Sequence, residues 1–217
     1  MIGRHGLLPN RLALVSALVV GFDLDMTLVD SADGIVDAVS YVVASHGRTV
    51  DDAAVRETLG LPLDLVFPRF IDDVPYAVLL AEYRAYYAVH GIPSSRQLPG
   101  AAESLDAVRA VGGRILVVTA KHATQARAVL DVAGLMADDV AGESFAEQKG
   151  DVLLTYGAAI YVGDHVGDIA GARRAGATAV AVATGPTSAP ELADAGADVV
   201  LEHLGEFPEW FASWRSE

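Results

Sequence analysis

The chain has 217 residues, 52% of them hydrophobic, with a net charge of −14 and no cysteine. That size suits one domain with a sizeable core, or a core domain with a smaller insertion. The missing cysteine excludes disulfides, thiol catalysis and thiolate metal sites, and the acidity argues against binding duplex nucleic acid, whose phosphates need a basic footprint.

Residues 1–11 carry Arg4, His5 and Arg11 and read as a poorly packed leader. The apolar run from Leu12 to Phe22 falls short of the ~20 residues a membrane helix needs, and it runs straight into Asp23. A signal peptide would need a cleavage site after the run, and cleavage there would remove or expose the acids that follow. The later part, Ala17–Phe22, therefore reads as a buried strand, and the expected location is the cytoplasm with no membrane partner. Asp23, Asp25 and Thr27 stand at the end of that strand. Carboxylates beside a core need a partner, and a divalent cation is the usual one. One acid to attack and a second to move a proton is also a catalytic pattern. Taken alone, the acid pair is equally compatible with a solvated turn.

From Ser31 to about Ile92 helical patterns run without a convincing strand. Ile35–Ser45 is amphipathic. Asp51 or Asp52 can cap Ala53–Leu59, which Gly60 stops, and Pro75–His90 is a long apolar and aromatic helix ended by Gly91. Pro93-Ser94-Ser95 and Pro99-Gly100 punctuate the return to the sheet. A helical block placed directly after the acid pair is expected to cover it. The expected division is a core of residues 1–30 and 98–217 with a helical cap of residues 31–97. Downstream strands fall at Arg114–Thr119, Ala159–Val162 and Ala177–Val182, with weaker ones near Val140 and Val199. They alternate with helices at Ala101–Val111, Thr124–Ala133 and Asp168–Ala175. This alternation predicts an α/β fold, a Rossmann-like parallel sheet with helices on both faces, whose ligands bind beyond the carboxyl ends of the strands.

Three further features lie at or near those strand ends. Thr119 closes its strand, where a hydroxyl and the following backbone N–H groups bind a phosphate oxygen or simply cap a helix. The chain has only two lysines, Lys121 and Lys149. Lys149 lies just before the helix leading to the next strand, where a compact ammonium suits a position between a carboxylate and a phosphate. Lys121 is as consistent with the surface as with a site. Finally, Gly163 allows a tight turn that leaves Asp164 at a strand tip, with Asp168 opening the next helix. Asp164 can complete a hard-cation site with Asp23. Asp168 is also the acid that a helix N-terminus favours.

Together these residues resemble a known family. Phe22-Asp23-Leu24-Asp25-Met26-Thr27-Leu28-Val29-Asp30-Ser31, Thr119, Lys149 and Gly163-Asp164 with Asp168 are similar to the four ordered motifs of the haloacid dehalogenase-like (HAD) hydrolases, nearest the phosphoglycolate phosphatase-like members with a helical cap. Leu98-Pro99-Gly100, Val118-Thr119-Ala120-Lys121 and Ala172-Arg173-Arg174-Ala175-Gly176-Ala177 extend the likeness over about residues 17–200. The resemblance implies Mg²⁺ as cofactor and small phosphorylated metabolites as substrates. It implies that Asp23 is the nucleophile and a metal ligand, and that Asp25 is the general acid and base with its carbonyl on the metal. Thr119, Ala120 and Lys149 would hold the phosphoryl group. Asp164 would be the third ligand, supported by Asp168 and Thr27. Met26 departs from a position where relatives usually carry glycine, and Gly150 from one where proline is common.

A phosphomutase on the same core is the alternative, but Ile35 stands where sugar mutases of the family usually carry histidine. A phosphonatase needs a cap lysine, and residues 31–97 contain none. A catalytically silent phosphate-binding protein is the remaining reading. The cap loop Gly60-Leu61-Pro62-Leu63 is expected to face the cleft. Arg69, Tyr83, Arg84 and Tyr87 are candidate substrate contacts that are also consistent with surface or packing roles.

Overall fold

The computed structural model describes residues 17–216, so the leader expected at residues 1–11 lies outside the described residues. The first strand, β1 (Val19–Phe22), is buried along its length. β2 (Val29–Asp30) follows the acidic turn. Next come helices α1 (Ala32–Ser45), α2 (Asp52–Arg56), α3 (Leu63–Val66), α4 (Tyr76–Val89) and α5 (Gly91–Ser94), and then β3 (Arg96–Gln97). The remainder alternates as α6 (Ala101–Ala110), β4 (Arg114–Val118), α7 (Ala123–Ala133), β5 (Asp139–Ala141), α8 (Glu147–Tyr156) and β6 (Ala158–Gly163). It closes with α9 (Val166–Ala175), β7 (Thr178–Val182), α10 (Ala189–Asp194), β8 (Val199–Leu201) and α11 (Phe207–Trp214). None of the described helices is long and apolar enough to cross a membrane.

Six strands form one parallel sheet in the order β5-β4-β1-β6-β7-β8. The period of two along each strand explains why both faces are covered. Val20, Phe22, Ile115, Val117, Ile160 and Val162 pack into the layer of α6, α7 and α11. Val19, Leu116, Val118, Tyr161, Ala179 and Ala181 face the layer of α8, α9 and α10. Phe22 is fully buried and meets Phe207 edge-on, ring centroids 5.5 Å apart. Truncating such a ring to alanine costs about 3–5 kcal/mol, so the strand that carries the acids is anchored by its own last residue. The strand order reverses at β1, with β4 on one side and β6 on the other. The crevice at that reversal is where open α/β sheets bind ligands.

Among the helices of residues 32–94, α1 buries Val36, Val39, Val42 and Val43 and α4 contributes Leu79, Tyr83 and Tyr87, and this apolar packing is continuous with one face of the sheet. Asp51 is the cap of α2, its side chain accepting from the Ala53 N–H. Two details differ from the sequence expectation. β2 and β3 pair antiparallel, Val29 with Gln97 and Asp30 with Arg96, and tie both ends of the helical insertion together. Each strand has two residues, too few to carry a readable period. α4 stops at Val89 with His90 as its cap, ahead of Gly91 as expected, but a separate short helix, α5, starts at that glycine. A Cβ there would sit 2.2 Å from the Tyr87 ring, so glycine is present for close approach.

Candidate active site

The carboxyl ends of β1, β4 and β6 bring the expected acids and lysines together. Asp23 continues β1 and stays attached to the sheet, its N–H donating to the Val162 carbonyl at 2.8 Å. Asp164 follows β6 and is fully buried. Thr27, in the turn after Asp25, donates to Asp164 Oδ1 at 2.8 Å. The other oxygen, Asp164 Oδ2, is buried without a hydrogen-bond partner. Carboxylate oxygens of Asp23, Asp164 and Asp168 all lie within 4.8 Å of one another.

Lys149 fixes this cluster. It lies inside the first turn of α8 rather than before it, and it is buried. Its ammonium donates to Asp23 Oδ1 at 2.8 Å and to Asp168 Oδ1 at 2.6 Å, so it bridges two carboxylates and keeps one further donor. Asp168 also serves its helix. Its Oδ2 accepts from the His165 N–H at 3.0 Å in a capping box. Asp168 thus holds Lys149 and caps α9 at once. Gly163 is required where it stands, because a Cβ would fall 2.3 Å from the Asp168 carboxyl carbon.

Thr119 is buried at the end of β4, and its hydroxyl accepts from the Lys121 N–H at 3.2 Å. It does not cap α7. His122 does, through an Nδ1 that accepts from the Thr124 N–H. Ala120 lines the cleft beside it. Asp25 sits apart from the three-acid cluster, its Oδ1 accepting from the Ser31 hydroxyl at 2.5 Å and its Oδ2 lying 3.3 Å from Lys121 Nζ.

The charges show what the cluster suits. Four carboxylates, Asp23, Asp25, Asp164 and Asp168, face two ammonium groups, Lys121 and Lys149. Burial pushes Asp23 up to about 7, with the Lys149 ammonium opposing and the Asp168 charge reinforcing the rise. Burial, then the charges of Asp23 and Asp168, raise Asp164 well above the usual carboxylate range. For Lys149, burial acts to lower its pKa, but the Asp168 and Asp23 charges outweigh it and hold the ammonium well above its ordinary value. Excess negative charge around an orphaned carboxylate oxygen fits a hard divalent cation.

A cleft of about 660 Å³ opens over this floor. Asp23, Asp25, Thr119, Ala120, Lys121 and Lys149 form one end, and Ile35, Val39 and Leu80 line the side of the helical insertion. Gly60, Leu61, Pro62 and Leu63 all line it, as their sequence implies. Tyr83 and Arg84 also face it, and Arg84 pairs with Glu143 at 2.7 Å across the cleft mouth. Arg69 lies in a separate depression with His165 and Glu191. Tyr87 is buried beneath Lys121, whose Nζ stands 4.1 Å from the ring centroid.

A family model described as haloacid dehalogenase-like hydrolase matches residues 20–182. The chain belongs to the haloacid dehalogenase-like hydrolases. A phosphoglycolate phosphatase from Rhodospirillum rubrum is 32% identical over 87% of this chain and 88% of its own length. A phosphoglycolate phosphatase from Agrobacterium fabrum is 30% identical over 83% of this chain and 86% of its own. In structure, a haloacid dehalogenase-like family hydrolase from Streptococcus pneumoniae superposes with a TM-score of 0.79, at 24% identity, covering 92% of this chain and 99% of that one. That likeness bears on the fold, which is the Rossmann-like α/β arrangement of the HAD hydrolases.

Sequence reasoning underweights three residues of this HAD site. Lys121 is buried against Asp25, and its rarity as one of two lysines was the available signal. Ser31 reaches Asp25 from the start of α1, a contact that no spacing rule reveals. Gly185 lies so close to Asp164 that a Cβ would fall 1.8 Å from Oδ2, and nothing in its local sequence marks it.

Proposed function

We propose that this HAD hydrolase is a Mg²⁺-dependent phosphatase of small organic phosphomonoesters, working through an aspartyl-phosphate. The observation that carries the reading is the meeting of Asp23, the orphaned oxygen of Asp164 and the Lys149 ammonium at one end of a cleft large enough for a small metabolite. The relatives named phosphoglycolate phosphatase support the reaction class.

Asp23, Asp164 and the Asp25 carbonyl would hold Mg²⁺. The bound ion would offset the repulsion between a carboxylate and a phosphate dianion. Lys149 adds a fixed positive charge beside the attacking Asp23 carboxylate, and its bond to Asp168 keeps it there. The Thr119 hydroxyl and the backbone around Ala120 hold the phosphoryl oxygens and so set an in-line approach. Asp23 attacks phosphorus, and the ester P–O bond breaks. Asp25 gives its proton to the departing alkoxide and later takes one from the water that hydrolyses the aspartyl-phosphate. The helical insertion acts as the cap that excludes bulk water, with the β2–β3 ribbon as its hinge. Ile35 lines the cleft as an apolar wall, which gives a sugar mutase no histidine to use.

The test is phosphate release from a panel of phosphomonoesters, with Mg²⁺ and with EDTA. Mg²⁺-dependent release is expected. Asp23→Asn should lower turnover by at least about 10³-fold while the fold survives, since removing a nucleophile leaves only binding and electrostatic effects. Near-full activity in that variant would end the proposal.

A further inference from the structure

Lys121 is a buried cation that the reaction outlined above does not use. Its side chain is 6% exposed, and it has two neighbours of different origin. One is the Asp25 carboxylate, 3.3 Å from Nζ, in the core. The other is the face of Tyr87, 4.1 Å from Nζ to the ring centroid, on α4 of the helical insertion. A desolvated ammonium over a tyrosine face gains a real cation–π attraction. Tyr87 is itself fully buried, its hydroxyl has no partner in good hydrogen-bond geometry although the Lys121 ammonium lies near it, and its ring is stacked on Tyr83 with centroids 5.5 Å apart. The ring is therefore held in the insertion by packing and offers its face to Lys121. On the far side of the carboxylate, Ser31 donates to Asp25 Oδ1 from the residue that joins β2 to α1. Both oxygens of Asp25 are thus gripped by groups that connect to the insertion.

We propose that Lys121 is a positioning residue that holds the Asp25 carboxyl group in place and ties it to the helical insertion through the face of Tyr87. The inference rests on the reading of Asp25 as the proton donor. As the ester P–O bond breaks, the electron pair stays on oxygen, and the Asp25 proton goes to that oxygen. Poor leaving groups need this proton and good ones do not. A misplaced Asp25 therefore damages turnover of alkyl phosphates and spares p-nitrophenyl phosphate. General damage to the fold or to phosphate binding harms both alike.

The experiment compares kcat and KM for p-nitrophenyl phosphate and for an alkyl phosphate, glycerol 2-phosphate, in the full chain with Mg²⁺. For Lys121→Met, kcat on the alkyl ester should fall about 10- to 100-fold, part of the ~10²–10⁴ that general acid–base catalysis supplies. On the aryl ester the loss should stay within about threefold, with KM little changed on either. Tyr87→Phe keeps the ring face and should behave as wild type. Tyr87→Leu removes it and should reproduce the leaving-group selectivity of Lys121→Met at roughly a third to a tenth of its size. The Tyr87 pair decides the matter should Lys121→Met fail to fold. Equal losses on both esters, no loss on either, or a KM increase with kcat intact, which marks direct substrate binding by Lys121, would each overturn the inference. A wild-type protein inactive on both esters and on the metabolite panel removes the phosphatase reading and this one with it. An active wild type with unselective variants removes only this one.

Discussion

Stripping divalent cations should make the protein lose stability as pH rises from about 4 to about 7, the reverse of ordinary acid denaturation. Asp23 has its pKa moved from 3.8 to about 7, first by burial, with Lys149 opposing and Asp168 assisting. A carboxyl group that holds its proton more tightly when folded stabilises the native state fully below its unfolded pKa. That stability is lost as pH climbs through the folded value. A difference of about three pH units, at 1.36 kcal/mol per unit, is on the order of 4 kcal/mol. Asp164 is raised in the same direction, chiefly by burial and then by the Asp23 charge, and adds to the loss. For a chain of this size 4 kcal/mol corresponds to roughly 8–16 °C in melting temperature. The assay is thermal unfolding at pH 5, 6, 7 and 8, in EDTA and in saturating Mg²⁺. The two melting curves should lie closest at pH 5, separate up to about pH 7 and then change little to pH 8, because the cation takes over the charge compensation that the proton supplied. Asp23→Asn cannot titrate at that position, so its EDTA series should be much flatter. An EDTA series that is level from pH 5 to 8, or an Asn variant with the wild-type slope, would refute this account of the cluster.

Two substitutions probe the backbone around the acids. Gly185→Ala places a methyl 1.8 Å from Asp164 Oδ2 and must displace that carboxylate. Isothermal titration should find Mg²⁺ affinity reduced at least about tenfold, as losses around a metal site commonly do, and unchanged affinity would contradict it. Met26→Gly should raise the urea midpoint. Met26 holds a φ of 60°, which costs a side-chain-bearing residue about 1–2 kcal/mol, against about 0.5–1 kcal/mol of extra chain entropy lost by glycine. The expected net gain is between about 0 and about 1.5 kcal/mol, and a lowered midpoint would mean that the Met26 side chain contributes more by packing than its backbone loses.

The parallel sheet was legible because its strands are short β-branched runs buried on both faces, which give a strong local signal. The acids and Lys149 were legible because each falls at a strand end or the start of a helix, where topology must bring them together. The β2–β3 ribbon was not, since two-residue strands leave no period in the sequence. The partners of Asp25 were not, since Ser31 and Lys121 reach it from elements whose relative placement depends on how the helical insertion docks. The second reason for Gly91 was not legible either: besides following the end of α4, it is fixed by the bulk of Tyr87 four residues earlier.

What local pattern reads least well is strain, and here strain sits at the site. Among the described residues, the non-glycine residues with positive φ are Met26, Glu143 and Ala146. Met26 follows Asp25 directly, while Glu143 and Ala146 flank the loop that feeds Lys149 into α8. Such conformations persist only where the surroundings over-determine them. The hydrogen bonds that do so come from neighbouring loops and strand ends. Thr184 donates to the Met26 carbonyl at 2.5 Å, and the Met26 N–H donates to the Val29 carbonyl at 2.8 Å. The Glu143 N–H donates to the Lys121 carbonyl and the Ser144 N–H to the Thr119 carbonyl, both at 3.0 Å. The loop before Lys149 is therefore clamped to the end of β4, and Lys149 is in turn bonded to the acid at the end of β1. The segments that carry Thr119, Lys149 and Asp23 thus share one hydrogen-bonded frame. Ala146→Gly, which removes the strain of a φ of 47°, is predicted to loosen the Lys149–Asp23 contact, and a lowered kcat with KM unchanged would be its mark, while wild-type kcat would contradict it.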